Sequence, residues 1–226
     1  MKAKTHVAIV LDKSGSMEST KASTIKGFNE QVQQLKENAK SGQDILVSLV
    51  TFNGEVFEHA WDVPAEQMQE ITENDYKPNG STAMRDAVGY TVKKLLSSTD
   101  QNEENTAYLV IVISDGETNS DVHFKPAALK EMIEGCQNSK KWTFTYMGCS
   151  KSYLEEIARQ TSVPISNMSV WDNTTQVATL SCMRAAATRS ASYFAERAYG
   201  QTATTNYMSD VNEVADLTVE QPEEKK

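Results

Sequence analysis

The chain has 226 residues, a length suited to one α/β domain of ordinary size with some chain to spare. Its composition, 39% hydrophobic and 23% charged, is that of a soluble globular protein, and a net charge of −9 with no Lys/Arg cluster argues against a nucleic-acid partner, because phosphate binding needs a basic stripe. Membrane insertion is not expected, since no run approaches the ~20 apolar residues of a span, and the odd, widely spaced set Cys136, Cys149 and Cys182 points to a reducing cytoplasm without a disulfide framework.

Strands and helices alternate along the chain. Residues 7–11 are a continuous apolar run, as in a strand buried on both faces. This run is too short for a signal segment and stops at Asp12. Residues 21–40 then place Ile25, Phe28, Val32 and Leu35 at helical spacing. Residues 45–52 form the second strand, and Asn53-Gly54 signals a hairpin. Residues 56–61 therefore return antiparallel at the sheet edge, and residues 64–72 read as a short helix or loop. Met84, Ala87, Val88, Thr91 and Leu95 mark the next helix. Residues 107–113 are the most apolar strand. A helix through Leu129, Met132, Ile133 and Cys136 follows, then a strand over 142–147 and a helix over 154–158. A short last strand is expected over 163–170 despite Pro164, and an Ala-rich closing helix over 173–197.

This order implies a three-layer α/β/α, Rossmann-like domain with a mostly parallel sheet and one antiparallel hairpin strand. The domain is expected to span residues 1–200, with 201–226 as an acidic tail. From Ser209 onward the chain carries six acidic residues and two lysines, and no aromatic follows Tyr207, so disorder is expected there.

In such sheets ligands sit outside the carboxyl ends of the strands. Strand one ends in Asp12-Lys13-Ser14-Gly15-Ser16, the loop before the 84–95 helix holds Gly80-Ser81-Thr82, and the 107–113 strand ends in Ser114-Asp115-Gly116-Glu117. Together these loops can bring two carboxylates and three hydroxyls to one point. All are hard oxygen donors, suited to Mg²⁺, Mn²⁺ or Ca²⁺ rather than zinc. His6, His59 and His123 share no metal-ligand spacing, which also disfavours zinc. Two carboxylates only neutralise a dication, and neutral hydroxyls fill further positions without adding charge. An open position would then attract a carboxylate from another molecule. Gly15 and Gly116 are expected where a Cβ would crowd the ion.

Asp12-x-Ser14-x-Ser16, then Thr82, then Asp115 resembles the metal-ion-dependent adhesion site of the von Willebrand factor A family. The three elements are written DKSGSM, GSTAMRDA and ISDGE, and they match at every ligand position. The resemblance runs from about residue 5 to 199 and looks closest to stand-alone bacterial and phage members. It implies direct ligation by Ser14 and Ser16, ligation by Thr82 in the partner-bound state, and roles for Asp12 and Asp115 directly or through water. Gly15, Ser81, Asp86, Gly116 and Glu117 would surround the ligands or line the rim. It further implies a non-catalytic module of a bacterial or phage-infected cytoplasm that binds a protein through an Asp or Glu.

Each element also has a plainer reading. DxSxS can be a turn with a Ser helix cap, GST a cap, and SDGE a turn. Asp86 can simply favour a helix start. Two other functions compete with the binding module. A metal-dependent phosphohydrolase suits a sheet-edge Asp in principle, yet Ser14 stands where a second Asp would be wanted, no Walker A motif is present and no base stands out. An assembly component would accept the acid from a second copy or from a particle protein.

Overall fold

Apolar β-branched runs make the sheet. The computed structural model describes residues 3–98, 100, 102–116, 118–171 and 175–208. Strand β1 (Lys4–Asp12) is followed by a 3-10 turn (Gly15–Thr20) and helix α1 (Lys21–Lys40). Strands β2 (Asp44–Phe52) and β3 (Val56–Pro64) form the hairpin, then come α2 (Met84–Leu95), β4 (Thr106–Ile113), α3 (Pro126–Asn138), β5 (Trp142–Gly148), α4 (Lys151–Thr161), β6 (Met168–Val170) and α5 (Gln176–Ala198). The sheet order is β3-β2-β1-β4-β5-β6; all pairings are parallel except β2 with β3. This is the Rossmann-like α/β arrangement expected from the alternation.

Strand alternation sorts the core into two layers. Val7, Ile9 and Leu11 of β1 face α1 and α5, where Phe28, Val32, Leu35, Met183 and Phe194 meet them. Ala8 and Val10 face the opposite side, against Val88 and Val92 of α2, Ile133 of α3 and Ile157 of α4. Every residue of β4 is buried, so the strand reads as one apolar run with no alternation. Each fully buried Val, Leu or Ile contributes about 1.5–3 kcal/mol, which makes these layers the main support of the sheet edge above them.

Three details differ from the sequence reading. The hairpin exists, but its loop has three residues (53–55), and Gly54 does not take the positive φ of a tight Asn-Gly turn. The strand expected over 163–170 shrinks to Met168–Val170. Pro164 carries no N–H, and its fixed φ leads into a 3-10 turn, Ile165–Asn167. There the Asn167 side chain stands in for a strand, donating to the Phe144 carbonyl at 3.0 Å. Finally, residues 201–208, expected in the solvated tail, pack against the body. Thr204 N–H donates to Thr143 Oγ1 at 3.0 Å and Tyr207 N–H to Asn167 Oδ1 at 2.7 Å, while Tyr207 and Met208 are fully buried. Tyr207 and Met208 enter the core beside α5, and Arg189 of α5 donates to the Tyr207 carbonyl at 2.5 Å. The acidic stretch 209–226 lies outside the described residues. Among the described residues no helix is long and apolar enough to cross a membrane.

Candidate metal centre

The carboxyl ends of β1 and β4 are neighbours in the sheet, which places their loops side by side. Asp12, the last residue of β1, is fully buried. Its Oδ1 accepts from Ser14 N–H at 2.6 Å and its Oδ2 from the Ser114 hydroxyl at 2.6 Å. The Ser14 and Ser16 hydroxyls lie 3.1 Å apart, and Ser16 Oγ donates to Asp115 Oδ1 at 2.6 Å. A continuous polar chain, Ser114–Asp12–Ser14–Ser16–Asp115, thus joins residues about a hundred positions apart in sequence. Ser16 is exposed, so the cluster opens to solvent on that side.

The Thr82 loop is tied to both neighbours. Gly15 N–H donates to the Gly80 carbonyl at 3.1 Å. Thr82 N–H donates to Asn119 Oδ1 at 2.9 Å, and the Thr82 carbonyl accepts from Asn119 N–H at 2.8 Å. Ala83 N–H donates to the Asn53 carbonyl of the hairpin at 2.6 Å. Thr82 is therefore held in place by its own main chain, nearly buried at 5% exposure, and Ser81 beside it is exposed at the rim.

The capping alternatives can be decided. Ser14 is the first flanking residue of the Gly15–Thr20 turn, but its side chain makes no cap bond and is turned to Ser16. The flanking residue of α2 is Ala83, not Thr82, and it too has no side-chain cap. These hydroxyls are therefore not occupied in finishing helices. Asp86, in the first turn of α2, has a further role. It is buried, and its carboxylate accepts from the N–H groups of Val122, His123 and Phe124 at 2.7–2.9 Å. It clamps the loop that follows Asp115, the loop whose Asn119 holds the Thr82 backbone. Neither Gly15 nor Gly116 has a positive φ; the left-handed position is Gly80, at φ +75°. A Cβ on Gly116 would meet only Ser16 Oγ at 4.0 Å. Glu117 lies outside the described residues.

Asn119, in the loop after Asp115, reads from sequence as a rim residue, and here it holds the Thr82 backbone. Three further contributors were not assigned a role from sequence. Ser114 could have been suspected from its position at the end of β4. Tyr76 could not: it lies 64 residues from its partner, and its buried hydroxyl donates to the Asp12 carbonyl at 2.5 Å. Asp121 accepts from Asp86 N–H at 3.1 Å and pairs with Arg85 at 2.9 Å, fixing the same loop.

The electrostatics suit a cation. Burial pushes the Asp12 carboxyl up to about 6; hydrogen bonds from Ser114 and Ser14 work against this, and the charge of Asp115 adds to it. Among the described residues no ion pair includes Asp12. Burial first, then the charges of Asp12 and Asp115, raise the Tyr76 phenol well above its ordinary value, so it stays a neutral donor. Among the described residues no three His, Cys, Asp or Glu side chains form a metal cluster. The carboxylates of Asp12 and Asp115 with the hydroxyls of Ser14, Ser16 and Thr82 are hard oxygen donors, a set that would fit Mg²⁺ or Mn²⁺ rather than zinc.

A mostly parallel sheet flanked by helices, with oxygen donors gathered at its carboxyl edge, defines the Rossmann-like α/β class. The family model of the von Willebrand factor type A domain matches residues 6–181. The chain therefore belongs to that family, whose domains are generally interaction modules. A comparison by sequence with curated proteins finds no match. Among solved structures the fold is similar to the PilB minor pilin of Streptococcus sanguinis, with a TM-score of 0.57 and 14% identity over 86% of this chain and 63% of the pilin. It is similar to a von Willebrand factor type A protein of Catenulispora acidiphila, with a TM-score of 0.55 and 15% identity over 84% of this chain and 43% of that one. It is also similar to manganese-loaded TRAP of Plasmodium vivax, with a TM-score of 0.53 and 18% identity over 80% and 73%. The chain thus spans less than two thirds of the first two of these proteins.

Proposed function

We propose that this chain is a metal-dependent protein-binding module. Ser14, Ser16 and Thr82 would hold one hard divalent cation through their hydroxyls, with Asp12 and Asp115 acting directly or through water. Mg²⁺ is the preferred ion, and Mn²⁺ or Ca²⁺ could replace it. The observation that carries the reading is the hydrogen-bonded chain from Ser114 through Asp12, Ser14 and Ser16 to Asp115, with the Thr82 loop tied to Gly15 through Gly80 and to Asn119. When bound, the cation supplies a Lewis-acidic point that attracts an anionic oxygen. The two carboxylates provide its counter-charge, and the hydroxyls complete its shell without adding more. An Asp or Glu of a partner protein is the matching anion. Manganese-loaded TRAP, of the same fold, supports the choice of a hard dication.

The reading has no catalytic step. Nothing in the geometry favours a phosphohydrolase: both Asp12 oxygens are engaged by Ser14 and Ser114, which suits an anchored ligand better than a nucleophile. The acid could also come from a second copy of the chain. Mn²⁺ titration of the wild type and of Asp115→Ala tests the centre. Sedimentation and partner capture in Mg²⁺ and in EDTA test the binding. The wild type should bind the ion and should self-associate or capture partners only with it; Asp115→Ala should do neither. Binding that persists in EDTA overturns the proposal.

A further inference from the structure

The residue between the first two ligands does not face the ion. Lys13 N–H donates to the Phe52 carbonyl at 2.7 Å, and the Lys13 carbonyl accepts from Asn79 N–H at 2.8 Å, so its backbone is fixed. From there the side chain reaches across to the hairpin. Its ammonium stands over the Phe57 ring on β3, 3.4 Å from the centroid. Lysines at a surface normally run their charge out to water. This one is partly buried, and burial lowers its pKa, with Glu55 at the hairpin tip working weakly against that. Among the described residues no ion pair includes Lys13.

Three points follow. The ring fixes the ammonium in advance, so an arriving anion need not order a floppy side chain. A dication between two carboxylates is neutral as a whole, so Lys13 supplies a net positive charge beside it. Phe57 lies on β3, two strands from β1 with β2 between them, roughly 10 Å away at the usual strand spacing, so one acid cannot serve both the ion and the ammonium. We propose that Lys13 is a second anchor for the partner. The recognised segment carries two acidic side chains, one for the metal centre and one for the ammonium held on Phe57. This inference rests on the metal-dependent reading above and adds the chemistry of the partner to it.

The test is a random-peptide display library panned on the full chain in Mg²⁺ and released with EDTA, with parallel Mn²⁺ titrations. Released peptides should be enriched in a second Asp or Glu at a preferred spacing. Lys13→Gln should weaken those peptides about three- to fivefold, the range of a partly exposed ion pair, while Mn²⁺ affinity and the melting temperature stay close to wild type. Glu55→Gln, which removes the competing carboxylate, should tighten them about twofold. Metal-dependent peptides with a single acid, or equal binding by Lys13→Gln, overturn the inference and leave the module standing. No metal-dependent enrichment, with no Mn²⁺ affinity, takes down the module reading and this inference together.

Discussion

At the amino end of the sheet, Asp62 and Asp100 close on His6; at the carboxyl end, Asp12 and Asp115 close on serines. His6 is buried at 2% exposure, with Nδ1 2.9 Å from Asp62 and Nε2 3.0 Å from Asp100. A carboxylate at each ring nitrogen selects the doubly protonated imidazolium. Lys4 adds a second cation, 3.0 Å from Asp100, and Tyr108 stacks on the imidazole at 5.1 Å. Burial acts against the Asp100 charge, yet hydrogen bonds from His6 and Lys4 outweigh it and hold the carboxyl down at about 2. Asp12 goes the other way, up to about 6, because serine donors offset its burial only in part. The amino end balances its charges with its own side chains. The carboxyl end gathers two carboxylates and hydroxyls, with no ion pair at Asp12 among the described residues, and the proposed cation would supply the balance.

The contrast can be broken most sharply by mutation at each end. His6→Ala should destabilise the chain by about 3 kcal/mol in urea unfolding, since it leaves Asp62 and Asp100 without their shared cation. Asp12→Asn, measured in EDTA, should lose under about 1 kcal/mol or gain stability, because it removes a buried charge that no ion pair offsets. Equal losses from the two would show that the ends are not built differently.

Metal addition comes next in size. Mg²⁺ at about a hundred times its dissociation constant should raise wild-type stability by about 2.7 kcal/mol. Asp12→Asn and Asp115→Ala should lose this gain, while His6→Ala should keep it. A metal-independent melting temperature in the wild type would remove the contrast.

The smallest effect is the pH dependence of the amino end. Burial lowers the His6 pKa, but the two aspartates outweigh it and the net direction is upward from 6.5. The folded chain therefore keeps this proton at pH values where the unfolded chain releases it. The His6 contribution is complete below about 6.5 and declines as pH rises through the folded value, with a slope of at most about 1.4 kcal/mol per pH unit. The slope should vanish in His6→Ala. A wild-type stability that rises across this window in EDTA would mean that the imidazole is neutral in the fold.

The meeting of the candidate residues at one sheet edge could be read from residue order, because they lie in short motifs at strand ends. Asp12, Ser14, Ser16 and Asp115 are joined by direct hydrogen bonds, and the loop that carries Thr82 is tied to theirs through Gly80 and Gly15. The supporting contacts could not be read. Asp86 appeared to be a neighbour of Thr82 because it lies one helical turn away, but its carboxylate serves the backbone of residues 122–124. His6 drew notice only as a histidine without metal spacing; its partners are 56 and 94 residues distant.

Periodicity and punctuation in the chain determined the alternation of strands and helices, the antiparallel hairpin and the three loops that meet at the sheet edge, since these depend on neighbours a few residues apart. Tertiary structure alone decided that Pro164 would cut the last strand short, that residues 201–208 would dock, that Tyr76 would support Asp12, and that His6 would become a buried cation. Those outcomes depend on which side chains meet across the sheet and how far water is excluded there, and no local pattern in the chain records either.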